Sequence, residues 1–223
     1  MLNSEFLEIL HTSITAMSLW EVAAVVLALA YLLLAMREKI SCWYAAFIST
    51  AIYLVLFWDV SLLMESALQV FYLGMAIFGW WQWRHHEDKN KDLRIHRWPL
   101  QTHLIVIGGV FLLTLVFGYL LDNFTSAALP YLDSFTTLGA VVTTYMVTRK
   151  VLENWIYWIV VDGASIYLYL DRGLYLTALL FLLYVVLVVI GFFQWRSIYN
   201  KQNQAEQPGL TSLTGRQASA ALQ

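Results

Sequence analysis

Charge is what this sequence has least of. Only 13% of its 223 residues are Asp, Glu, Lys or Arg, about half of the roughly 25% found in a soluble domain. Hydrophobic residues make up 60%, and the mean hydropathy is +0.64. A chain so poor in charge argues against a soluble enzyme, and one so apolar is not disordered. The net charge of −2 offers no bulk field to recruit nucleic acid. The single cysteine, Cys42, excludes an intrachain disulfide and a multi-cysteine metal site. There is no G-x-x-x-x-G-K-[ST] loop to hold ATP, no H-E-x-x-H and no G-x-S-x-G. The sequence implies no cofactor and no metal. The N-terminus lacks the basic region and cleavage site of a signal peptide.

Long apolar runs are abundant. A helix crosses hydrocarbon in about 20 apolar residues, and seven such runs are legible. They lie near Met17–Met36, Cys42–Trp58, Leu62–Trp83, Pro99–Leu121, Leu132–Thr148, Trp155–Leu170 and Leu174–Trp195. Pro99 and Pro130 stand at or before span starts, where a missing N–H costs nothing. The runs are too long and too uniformly apolar for barrel strands. Residues 1–16 form an extracytoplasmic segment, read as a short interfacial helix or a frayed end; Leu2, Phe6, Ile9 and Ser13 follow helical spacing. Residues 197–223 are polar and read as a disordered tail.

Twelve of the 13 basic residues fall on one side of a seven-span topology. Arg37 and Lys39 follow span one. Arg84, Lys89, Lys91, Arg94 and Arg97 follow span three, in a loop that reads as solvated and topogenic. Arg149 and Lys150 follow span five, and Arg196, Lys201 and Arg216 end the chain; only Arg172 lies opposite. The positive-inside rule then places the N-terminus outside and the C-terminus in the cytoplasm.

The chain also repeats itself. A shift of 112 residues lays Gly79-Trp80-Trp81-Gln82-Trp83-Arg84 on Gly191-Phe192-Phe193-Gln194-Trp195-Arg196. The same register pairs Arg37 with Arg149, Trp43 with Trp155, Asp59 with Asp171 and Tyr72 with Tyr184. Repeat one covers residues 20–84 and repeat two 132–196, with a linker helix at 99–121 between them. An odd linker returns the chain, so both three-helix units run the same way. This all-α, seven-helix plan is the parallel-repeat architecture of some secondary transporters. Duplication for scaffolding alone is the plainer alternative.

Polar residues inside spans are functional candidates by default. In span six, Trp155, Trp158, Asp162, Ser165 and Tyr169 line one helical stripe. Asp162 is mid-span. In span three, Glu65, Gln69, Tyr72 and Trp83 share a face; Ser49, Thr50 and Tyr53 mark span two. Glu21 and Asp133, near the outer edge, cap helices or ring the mouth. Trp158 beside Asp162 suits a flat cation. For Trp20, Trp43, Trp80, Trp81, Trp83 and Trp195 the interfacial aromatic belt is the default. A helix–helix hydrogen bond is the alternative for Asp162. A seven-helix receptor or sensor and a membrane enzyme are rival classes; no output domain and no catalytic constellation favours either.

At several of these residues the sequence resembles the PnuC family of bacterial vitamin transporters. The likeness is carried by Trp20-Glu21, Glu38-Lys39-Ile40, Leu68-Gln69-Val70-Phe71, Gly79-Trp80-Trp81-Gln82-Trp83, Asp133-Ser134, Thr148-Arg149-Lys150 and Glu153-Asn154-Trp155 leading to Trp158. The resemblance implies seven helices in a three-plus-one-plus-three arrangement similar to SWEET transporters. It also implies a homotrimer in the inner membrane. Non-phosphorylated vitamins would move by facilitated diffusion and be trapped by a cytoplasmic kinase. Expected substrate contacts are Asp162, Trp158, Gln69, Glu65, Ser49, Ser165, Tyr72, Tyr53, Trp155 and Asn154. Members that carry nicotinamide riboside usually have Asn at the positions of Asp162 and Ser49, and an uncharged residue at that of Glu65. The added carboxylates favour a cation, thiamine or nicotinamide riboside, over riboflavin.

Overall fold

The computed structural model describes residue 12 and residues 17–59, 63–87, 93–125 and 129–205, the side chains at 63–65, 67, 86 and 87 excepted. Seven helices stand among the described residues. They are α1 (Leu19–Met36), α2 (Cys42–Asp59), α3 (Leu63–Glu87), α4 (Leu100–Phe124), α5 (Pro130–Thr148), α6 (Asn154–Asp171) and α7 (Tyr175–Ala205). Each coincides with one expected span. By length and composition, α1, α2, α4 and α7 are apolar enough to cross a membrane. The other three, α3, α5 and α6, hold most of the polar residues singled out above.

Local chemistry sets the ends. Ser18 and Glu21 form a capping box at the start of α1, each side chain bonding the other's backbone N–H at 3.2 and 2.6 Å. Pro99 is the N-cap of α4, and Pro130 opens α5. The helices α1 and α5 end in the same way. Lys39 N–H reaches back to Leu34 C=O and Val151 N–H to Met146 C=O, both at 3.0 Å. This Schellman closure puts Glu38 and Lys150 in the left-handed region, with φ of 52° and 53°.

The packing is a closed ring. Helix α1 touches α2, α2 touches α3, α3 touches α5, α5 touches α6, α6 touches α7, and α7 returns to α1. Among the described residues α4 packs mainly on α5, and His103 adds a side-chain contact with Tyr157 of α6. The ring is therefore two three-helix units joined by equivalent contacts, α3 on α5 and α7 on α1, with the linker helix outside. Ile105, Phe111 and Leu112 of α4 are 67%, 64% and 62% exposed, a surface suited to hydrocarbon rather than water.

Tryptophans lock the end of the ring that carries the basic turns. Trp43 meets Trp83 edge-to-face at 5.3 Å and 85°; Trp155 meets Trp195 at 5.3 Å and 84°. Each first partner lies flat on a glycine of the same repeat, Trp43 on Gly79 and Trp155 on Gly191. The Trp83 indole donates to Thr148 C=O and the Trp195 indole to Ala35 C=O, both at 3.1 Å. Each third helix thus holds the end of the other repeat's first helix.

Three expectations change here. Trp43, Trp83 and Trp195 are buried core residues, not members of an aromatic belt; paired rings and facing glycines give them a better environment than the interface. Trp20 and Trp81 are exposed as the belt requires. The polar stretch after Ser197 is not irregular from its start, because α7 continues to Ala205 and seats Ile198 and Tyr199 on the core cluster. The loop before α4 is more than a solvated strip. Ile95 is buried, and His96 pairs with the α5–α6 turn, its N–H to Lys150 C=O and its C=O to Leu152 N–H. The helical pattern at Leu2–Ser13 and the tail beyond residue 205 lie outside the described residues, Thr12 apart.

Candidate functional site

The α6 stripe turns inward as its spacing requires. Trp155, Asp162 and Ser165 are buried, whereas Ile156, Val160 and Tyr167 on the opposite face are exposed. Asp162 is 3% exposed. Among the described residues it forms no ion pair with a basic side chain. Tyr169, two stripe positions beyond Asp162, packs on Phe181 of α7 at 4.9 Å, and Phe181 meets Tyr184 at 5.5 Å. Asp162 thus shares its helix face with a cluster of rings that joins α6 to α7. Such a site can hold a small cation against aromatic faces and offer hydroxyls to its polar atoms.

The other expected residues divide. Gln69 and Trp158 are half-buried, and Trp158 rests on the edge of the core cluster. Tyr53 stacks on Phe57 at 5.6 Å and 24°. Ser49 donates to Ala24 C=O at 2.8 Å, tying α2 to α1. Ser165 bonds Val161 C=O of its own helix at 2.9 Å. Trp155 and Asn154 sit in the tryptophan-locked end instead. Asn154 is fully buried and donates to Val151 C=O at 2.6 Å, while Trp155 packs on Gly191 and Trp195. Glu65 lies in the first turn of α3, and its side chain falls outside the described residues.

The two edge acids have local partners. Glu21 is spent on the α1 capping box. Asp133 accepts from Arg172 at 3.0 Å, linking the start of α5 to the end of α6. At the opposite end, Glu153 holds Arg97 at 2.6 Å and accepts from Trp98 N–H at 3.3 Å. That contact keeps the Arg97 guanidinium above its usual range. His103 of α4 meets the Tyr157 hydroxyl of α6 at 2.8 Å. These bonds anchor the linker helix to repeat two.

Tyr184 is the site residue that stripe spacing overlooked. Span seven is apolar around it, so no polar stripe drew notice. The repeat register could have found it, since Tyr184 matches Tyr72 in that alignment.

A ring of two like halves around a buried polar centre, with apolar outer faces, defines a membrane solute carrier. The sequence model of the nicotinamide mononucleotide transporter family matches residues 18–197, and the chain belongs to that family, the PnuC-type vitamin transporters its motifs resemble. These are carriers, not enzymes. The nicotinamide riboside transporter PnuC of Escherichia coli is 25% identical, the alignment covering 73% of this chain and 78% of that one. The riboflavin/roseoflavin transporter RibM of Streptomyces davaonensis is also 25% identical, over 76% and 81% of the two chains. PnuC of Neisseria mucosa is 27% identical over 75% and 68%. A crystal structure of the vitamin B3 transporter PnuC aligns with a TM-score of 0.68 at 23% identity, over 88% of this chain and 89% of that one. It shows the fold.

Proposed function

We propose that the protein carries a small cationic vitamin, thiamine or nicotinamide riboside, in its non-phosphorylated form across the bacterial inner membrane. The observation that carries this reading is Asp162, a buried carboxylate with no basic partner among the described residues. A buried charge is costly unless it is compensated. A fixed positive ring supplies that compensation, and Trp158, Tyr72 and Tyr184 supply aromatic faces. Gln69, Tyr53, Ser49 and Ser165 are the candidates for the hydroxyl-bearing part.

Transport is by facilitated diffusion, a reading supported by the missing ATP loop and by the two-repeat ring, which can rock about the site. The basic end of the bundle is cytoplasmic, with the N-terminus outside. A cytoplasmic kinase traps the solute, and the carrier is a homotrimer; both follow from the family likeness.

Riboflavin is the second reading, favoured by the similarity to RibM. Its ring system is neutral and gives Asp162 no counter-charge. The deciding experiment is uptake of thiamine, nicotinamide riboside and riboflavin into proteoliposomes without ATP or an ion gradient. Saturable uptake of one of the two cations is expected. Saturable uptake of riboflavin alone overturns the cation reading, and no flux of any of the three overturns the transport assignment.

A further inference from the structure

A cavity of about 540 Å³ lies at the basic end of the bundle. That volume is in the range of small-molecule sites, about 300–1,000 Å³. Its lining includes Glu38, Lys39 and Trp83 of repeat one, Lys150 of repeat two, and Gln202 of the α7 extension. None of the residues gathered around Asp162 is among them. Its sign is also opposite: two lysines face one glutamate. Lys150 is engaged by Glu38 at 2.8 Å and sits 4.7 Å from the Trp83 ring. Lys39 is exposed at the rim and forms no ion pair among the described residues. The Gln202 Oε1 atom is buried with no hydrogen-bond partner, an expensive state for an acceptor.

We propose that this cavity binds a phosphate monoester of a hydroxylated solute, with Lys39 and Lys150 on the phosphate and Gln202 Oε1 accepting from a hydroxyl or amide of the organic part. Lysine recognises phosphate as a point charge. The unpartnered acceptor asks for a donor, and with the phosphate held by the lysines a hydroxyl or amide of the organic part supplies one. The identity of the ester rests on the proposed function. Phosphorylation of the carried alcohol adds a charge of about −1.5 to −2, so the trapped product is rejected by Asp162 and accepted here. Because Lys39 and Lys150 belong to different repeats, a bound ester joins the two halves and slows their rocking. The trapped product therefore restrains further uptake.

The test uses the full chain in phosphatidylcholine nanodiscs, titrated calorimetrically with thiamine monophosphate, nicotinamide mononucleotide, inorganic phosphate and phosphatidylglycerol. Saturable binding of a monoester is expected, weakened about tenfold by Lys39→Gln and separately by Gln202→Leu. Proteoliposomes loaded with that ester should take up vitamin more slowly, and Lys39→Gln should relieve this while leaving basal uptake unchanged. No saturable binding, or equal affinity in wild type and Lys39→Gln, overturns the proposal. Equal affinity for inorganic phosphate, or displacement of the ester by phosphatidylglycerol, overturns the assignment to an organic monoester. The binding arm needs no transport, so monoester binding without vitamin flux would keep this site and remove the proposed function instead.

Discussion

Lys150 and Glu38 stand 112 residues apart, at equivalent points of the two repeats, and their side chains meet at 2.8 Å. Both occupy the left-handed region at a helix end, a conformation uncommon for residues other than glycine. The duplicated turns thus close on each other through opposite charges at matched positions. The two side chains are only 13% and 17% exposed, so the pair is shielded from salt and joins the halves directly.

Removing one partner leaves a shielded charge alone, which is costly even where an ion pair contributes little net stability. Glu38→Gln and Lys150→Met should each lower the melting temperature in detergent. A double-mutant cycle should return a coupling of about 1–3 kcal/mol. The charge-swapped pair, Glu38→Lys with Lys150→Glu, should recover part of the loss. A coupling near zero would show that the contact is incidental.

Asp162→Asn keeps the shape and removes the charge. If the carboxylate faces the solute's positive ring, affinity for thiamine or nicotinamide riboside should fall about tenfold or more, the scale of a hydrogen bond to a charged group. Thermal stability should hold or rise, since an uncompensated buried carboxylate disappears. Competition binding on the purified protein reads the first effect and thermal unfolding the second. Unchanged affinity with lower stability would make Asp162 a helix-packing residue.

The glycines under the tryptophans admit nothing larger. A Cβ at Gly79 would lie 2.4 Å from the Trp43 ring, and one at Gly191 2.5 Å from the Trp155 ring. Gly79→Ala and Gly191→Ala should each cost about 1–3 kcal/mol through overpacking. The two losses should be alike, because the contacts are copies. A Trp43→Leu background should relieve Gly79→Ala and leave Gly191→Ala untouched. Calorimetric melting of the wild type, Trp43→Leu and the glycine variants in both backgrounds checks this, and unequal losses would break the equivalence of the repeats.

What was legible follows the symmetry. Span positions, the linker helix and the matched Gly79–Gly191, Trp83–Trp195 and Trp43–Trp155 pairs could be read directly, because both halves need the same packing. Apart from the matched Tyr72 and Tyr184, the candidate site lies where the halves diverge. The 112-residue register sets Asp162 against Thr50, Gln69 against Phe181 and Trp158 against Ala46. Stripe spacing found Asp162, but it could not separate Trp155 from Trp158. Both lie on one helical face, and only depth along α6 assigns Trp155 to the locked end. The Lys150–Glu38 contact was hidden for a different reason. Loop charges read as topology signals, and their pairing depends on how two distant turns meet.

Glu21 and Asp133 also stand at equivalent positions, 112 residues apart, each in the first turn of its repeat's first helix. Their partners differ, and so should their variants. Glu21→Ala removes half of a capping box and should cost about 0.5–2 kcal/mol. Asp133→Asn breaks a pair with Arg172 that is about one-third exposed on both sides, and should cost about 1 kcal/mol or less. Its loss should shrink further at high salt. If both acids only hold helix ends, neither variant should change the KM for uptake, whatever it does to melting. A several-fold rise in KM at unchanged stability would instead put that carboxylate at the mouth of the path, where it draws the cation toward Asp162.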